Sequence, residues 1–169
     1  MPDAADECSS LDDPADAAAL ARYATTLADR IEEAIPGWID RSVRRVLADQ
    51  DIAADDVVAA RIADAGSAAR IDGGRRVRAL LSSDIDAQAG TPLALLRSLV
   101  PHATAVLDAA GARPVTRDEF STRSFPDDVY DLTPASFADV DPALHEPGLV
   151  WGAAKAHVHL ARRRRQGKR

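Results

Sequence analysis

The chain has 169 residues, 35 of them alanine and only seven aromatic, and carries a formal net charge of −6. A chain of about 150 residues buries on the order of two-thirds of its surface, so one domain is expected, with a core of Leu, Val and Ile and with Ala permitting close helix approach. The acidic balance argues against a dedicated nucleic-acid-binding domain, and the single Cys8 excludes an intramolecular disulfide and suits a reducing compartment.

The opening MPDAADECSS has no basic n-region and no apolar h-region, and no apolar run approaches the roughly 18 residues of a membrane span. A cytoplasmic protein with no membrane association is the expectation. Charge is unevenly distributed. The first 20 residues hold six acids and no base, the last eight hold six bases and no acid, and the stretch between carries 21 acids against 15 bases. Residues 1–13, acidic and without periodicity, are expected to be a disordered leader; residues 14–165 a single helical domain; residues 166–169 a disordered basic tail.

In chain order, Leu20, Tyr23, Ala24, Leu27, Ile31 and Ile35 recur at helical spacing and predict a first helix. Pro36-Gly37 is expected to break or kink it, and Trp38, Ile39, Val43, Val46 and Leu47 form a second stripe, with Arg41, Arg44 and Arg45 opposite. A third helix is predicted from about Ala54 to Ile71, stopped by Gly73-Gly74. A fourth runs from Arg75 to Gly90, and Thr91-Pro92 opens a fifth that ends at Gly111 and bends at Pro101.

From residue 113 the character changes. Five of the seven aromatics (Phe120, Phe125, Tyr130, Phe137, Trp151) and five of the ten prolines lie in residues 113–151. Pro126-Asp127-Asp128, Thr133-Pro134 and Asp141-Pro142 read as successive helix starts, so short turns are expected to wrap the helical core. A last helix is predicted from Glu146-Pro147 to about Arg165. The fold class is therefore all-α: about six helices in one bundle, with a proline- and aromatic-rich segment over the core.

No cofactor is implied, and no metal site. His157 and His159 point about 200° apart on a helix and cannot share one ion. His145-Glu146 is followed by Pro147-Gly148-Leu149, without the second histidine of a zincin. The acids Asp127 and Asp128, with Tyr130 beside them, could serve general acid–base chemistry or simply begin a helix. With Phe125 and Asp131 they also form a possible protein-docking patch if exposed. Gly73-Gly74 followed by Arg75, Arg76 and Arg78 is a possible secondary anion patch, since a helix N-terminus would add its dipole to three guanidinium groups.

The main candidate for an anionic partner is the C-terminal element. Lys155, His159, Arg162 and Arg163 form one stripe on the predicted last helix, continued by Arg164, Arg165, Lys168 and Arg169. The same cations would stabilise a helix C-terminus without any ligand.

The run RSFPDDVYDLTPASFADVDPALHEPGLVWGAAKAHVHLARRRR at residues 123–165, together with IPGWIDRSVRRV at residues 35–46, resembles a family of small cytosolic proteins of actinobacterial type. The resemblance covers most of residues 18–165. It implies a self-standing protein and supplies no activity, ligand or catalytic residue. The function expected is a non-enzymatic interaction or regulatory protein acting through protein partners. The alternatives are a nucleic-acid-associated protein using the basic C-terminal helix and a small enzyme with an acidic site around Asp127 and Asp128.

Overall fold

The computed structural model describes residues 14–82, 91–116, 125 and 127–145. Three long helices dominate: α1 (Pro14–Asp49), α2 (Asp56–Ser82) and α3 (Thr91–Ala109). A single-turn helix, α4 (Phe137–Val140), and a 3₁₀ turn (Pro142–His145) follow, and no strand occurs among the described residues. The all-α class holds, and the count of about six helices does not. The final predicted helix, the leader and the basic tail lie outside the described residues.

The count falls because two expected breaks do not occur. Helix α1 runs through Pro36-Gly37, since its buried stripe keeps phase across the proline: Leu27, Ile31, Ile35, Trp38, Ile39, Val43 and Val46 all face the core. One missing amide at Pro36 is outweighed by burial on both sides of it. Helix α2 likewise runs through Gly73-Gly74, both buried, because position 73 continues the line Val58, Ile62, Ala69 and Val77. Interior glycine costs a helix about 1 kcal/mol relative to alanine. Here it permits close approach: a Cβ on Gly73 would lie 2.5 Å from Ile35 Cδ1, and one on Gly66 would lie 3.3 Å from Pro36 Cα and Cβ.

Helix α1 packs on both α2 and α3, and α2 packs on α3. The third face of the core comes from α3 through Leu95, Leu96, Leu99, Val100, Ala103, Val106 and Leu107. Helix α3 continues through Pro101. On the exposed edge between α1 and α2, Arg78 Nη2 donates to Asp29 Oδ1 at 2.8 Å and Glu32 Oε2 at 2.6 Å, and Arg70 Nε lies 3.5 Å from Glu32 Oε1.

Both α1 and α3 close by the same device. The amide of Ile52 donates to Leu47 C=O at 2.9 Å and that of Asp51 to Ala48 C=O at 3.1 Å, with Asp51 in the left-handed region at φ 54°. After α3 the amide of Ala112 donates to Leu107 C=O at 3.0 Å and that of Gly111 to Asp108 C=O at 3.1 Å, with Gly111 at φ 76°. The sequence marked the second end with its glycine; the first carries aspartate in that place. Helix α2 begins at Asp56, where the Asp55 carboxylate accepts from the Val58 amide at 2.9 Å as an N-terminal cap.

The segment after α3 is tied to α1, to the turn that follows α1, and to α3. The Gln50 side-chain amide makes a two-way clamp with Arg113, Nε2 donating to the carbonyl at 2.9 Å and Oε1 accepting from the backbone amide at 2.7 Å. Arg61 Nη1 donates to Ala109 C=O at 3.3 Å, and Arg41 Nη2 donates to Val140 C=O. Tyr130, Leu132, Val140 and Leu144 are buried in the same core as the helices, and Phe137 packs against its edge.

Three expected helix starts in this segment meet different outcomes. Residues 127–131 form turns, the amide of Asp131 donating to Asp128 C=O at 3.3 Å. Thr133 does not cap a helix, because its hydroxyl donates to Asp128 Oδ2 at 2.7 Å. Helix α4 starts three residues later after Ser136, where Asp139 Oδ2 accepts from the amides of Ala135 and Ser136, both at 2.9 Å. Asp141-Pro142 does open a turn, Asp141 Oδ1 accepting from the Ala143 amide at 2.9 Å.

Candidate functional site

The pair Asp127-Asp128 divides at once. Asp127 is exposed and forms an ion pair with Arg97, whose guanidinium carbon also lies 5.4 Å above the ring centroid of half-buried Phe125. Asp128 is 4 % exposed. Its Oδ2 accepts from the amide and the hydroxyl of Thr133. Burial pushes the Asp128 carboxyl up, but hydrogen bonds from the backbone of Leu132, from both groups of Thr133 and from the backbone of Tyr130 outweigh it and hold it below the ordinary carboxylate value. A general base needs the opposite tuning. The carboxylate instead fixes residues 128–133 as one turn.

Tyr130 is also structural. Its hydroxyl lies 2.7 Å from Asp108 Oδ1 and 3.0 Å from Ala112 C=O, so it fastens the segment to the C-terminal end of α3. Burial, reinforced by the hydrogen bond and charge of Asp108, pushes the phenol up to about 12. The neutral phenol is favoured in the fold, so this contribution is complete below the ordinary value of 10.0 and is lost as pH rises through about 12. Tyr130→Phe should cost about 1 kcal/mol, the net value of one such hydrogen bond. It should also remove one phenolate absorbance step, expected near pH 12 for the wild type, from an ultraviolet titration.

Of the docking patch, then, Asp128 and Tyr130 are buried, Phe125 is half-buried, and only Asp127 and Asp131 stand on the surface. The anion patch changes as well. Arg75, Arg76 and Arg78 lie inside α2 and not at its N-terminus, so no helix dipole end faces them. Arg75 Nη1 lies 4.0 Å from Asp72 Oδ1, and Arg78 is engaged by two carboxylates. A phosphate would have to displace both. The stripe of Lys155, His159, Arg162, Arg163, Arg164, Arg165, Lys168 and Arg169 lies outside the described residues.

His102 Nε2 lies 3.3 Å from Asp72 Oδ2, a neighbour that sequence could not supply because the two residues belong to different helices. Among the described residues no group of three or more His, Cys, Asp or Glu side chains could hold a metal ion, and no helix is long and apolar enough to cross a membrane.

Two depressions flank the turn that Asp128 holds. A cleft of about 180 Å³ between α3 and the turn is lined by Arg97, Val100, Pro101, Thr104, Asp127, Asp128 and Thr133. On the other side a groove of about 430 Å³ runs between α1 and the turn. Trp38, Arg41, Ser42 and Arg45 form its α1 wall, and residues 131–135 with Asp139 form the other. Sequence reading put Arg41, Arg44 and Arg45 on one face; the structure separates them, with Arg44 Nε on Asp40 Oδ1 at 2.7 Å and the other two on the groove. The i, i+4 spacing of Arg41 and Arg45 was the available signal.

The groove is charged on both sides. Arg41 gives one N–H to a backbone carbonyl, and no hydrogen bond or ion pair among the described residues engages Arg45. Ser42 is 8 % exposed and lies between them in sequence. On the facing wall the Asp139 carboxylate is held by its own turn, one oxygen accepting from two backbone amides and from the Ser136 hydroxyl at 3.3 Å. Such a surface can recognise charge and hydrogen-bonding pattern. No protein-family model matches the chain, no curated protein matches it, and no solved structure matches it.

Proposed function

We propose that the protein is a non-enzymatic interaction protein that works through a protein partner. The observation that carries this reading is the use made of its chemistry-bearing side chains. Asp128 and Tyr130 are buried and bonded in ways that hold a turn against the helices, whereas the cations of α1 line an open groove. A site for covalent or acid–base chemistry needs the reverse, a poised group in an enclosed pocket. The segment of residues 127–144 acts as a fitted wall whose exposed polar groups are available to a partner, and the charge of the basic C-terminal stripe is proposed to add to that contact.

The test is isolation of a stoichiometric complex with the full-length protein as bait, followed by size-exclusion chromatography of the reconstituted pair. Deleting residues 162–169 is expected to abolish or strongly weaken the complex. A full-length bait that yields no stoichiometric partner would count against the proposal.

A further inference from the structure

Resting on that reading, we infer that the α1 wall of the groove, Arg45 with Arg41 and the Ser42 hydroxyl, is a carboxylate-binding site for an acidic side chain presented by the partner. Arg45 is exposed and, among the described residues, carries no counter-ion. Arg41 one turn earlier gives one N–H to the Val140 carbonyl, which leaves other donors and its full charge for a ligand. A guanidinium presents donors in a fork that matches a carboxylate in two places at once. Ser42 lines the same wall and is more than nine-tenths buried, with no hydrogen bond from its hydroxyl among the described residues. That hydroxyl is free to donate to a ligand oxygen in the groove.

The facing wall decides the class of anion. Asp131 and Asp139 stand across the groove. A phosphate, with up to two charges, or a nucleic acid, with one per nucleotide, would be repelled by them more strongly than a single carboxylate. Three donors of its own turn partly compensate the Asp139 carboxylate. The groove is open-sided, so it suits a side chain reaching in from another surface better than a free metabolite needing enclosure.

The experiment needs no knowledge of the partner. A capped peptide of alternating glutamate and glycine is titrated into the isotopically labelled full-length protein at low salt, and backbone amide shifts are followed by NMR. Saturable shifts are expected at Arg41, Ser42, Arg45 and Leu132, weakening as salt is added because the site is exposed. Arg45→Ala should lower peptide affinity roughly tenfold, about the loss of one charged hydrogen-bonding group, and Arg45→Lys should restore it only in part. Arg30→Ala, at an exposed position on α1 outside the groove, should change nothing.

The inference is overturned if Arg45→Ala binds as tightly as wild type or if the shifts fall elsewhere. It is equally overturned if a phosphopeptide or a short oligonucleotide displaces the glutamate peptide from these residues. Failure here leaves the interaction reading intact wherever the full-length protein still forms its stoichiometric complex. Loss of that complex with peptide binding retained separates the two claims in the other direction.

Discussion

Gly73→Val should destabilise the protein by about 3 kcal/mol, near the upper end of what extra methyl groups cost in a packed core. The first atom of the new side chain would fall 2.5 Å from Ile35 Cδ1 and 3.1 Å from Leu99 Cδ2. Ile35 is 0 % and Leu99 2 % exposed, so neither can swing into solvent. Gly73→Ala sets two effects against each other: alanine improves helix propensity by about 1 kcal/mol, and the collision costs about 1–3 kcal/mol. Denaturant unfolding should therefore show a smaller net loss for alanine than for valine. Ile35→Val removes the offending Cδ1, so Gly73→Ala combined with Ile35→Val should be more stable than the sum of the single variants by about 1 kcal/mol. Strict additivity would mean that the contact between α1 and α2 at this point is not what holds position 73 to glycine.

The same contact explains how far the fold could be read from the chain. The apolar periodicity was enough to place the helical stretches that make up α1, α2 and α3, and the Gly111 terminus of α3 was visible because its left-handed residue is a glycine. What misled was punctuation. Pro36-Gly37 and Gly73-Gly74 look like stops when judged locally, yet the apolar stripe passes both without a change of phase, and phase is the stronger signal. Gly66 and Gly73 are also places where another helix comes close, which a single helix cannot reveal. In the turn segment, the pairing of Asp128 with Thr133 needed only five residues of sequence. It remained hidden because Thr133-Pro134 also fits a cap followed by proline. The groove was the least legible feature. It exists only because residues 131–135 fold back beside Arg41 and Arg45, some 90 positions earlier in the chain.

Neighbouring acids in this segment should behave in opposite ways. Asp128→Ala leaves the Thr133 amide and hydroxyl without their acceptor in a buried place, and the loss of a hydrogen-bonded charged group there should cost about 3 kcal/mol. For a chain of this size that corresponds to a fall of roughly 10 °C in Tm by circular dichroism. Asp127→Ala removes an exposed ion pair and should cost under about 1 kcal/mol. The pH dependence separates packing from charge. Because the Asp128 carboxyl is held below its ordinary value of 3.8, its contribution is complete above that pH and is lost as pH falls through the lower folded value. Asp128→Asn, which keeps the shape and removes the charge, should therefore lie below wild type in stability at neutral pH and approach it as pH drops below about 4. A gap that stayed constant down to pH 2 would mean that the ionised carboxylate is not what fixes the turn. Since that turn supplies one wall of the groove, Asp128→Asn should also weaken glutamate-peptide binding at neutral pH although residue 128 is not among the residues lining the groove. An unchanged affinity would show that the α1 wall recognises its ligand without help from the turn.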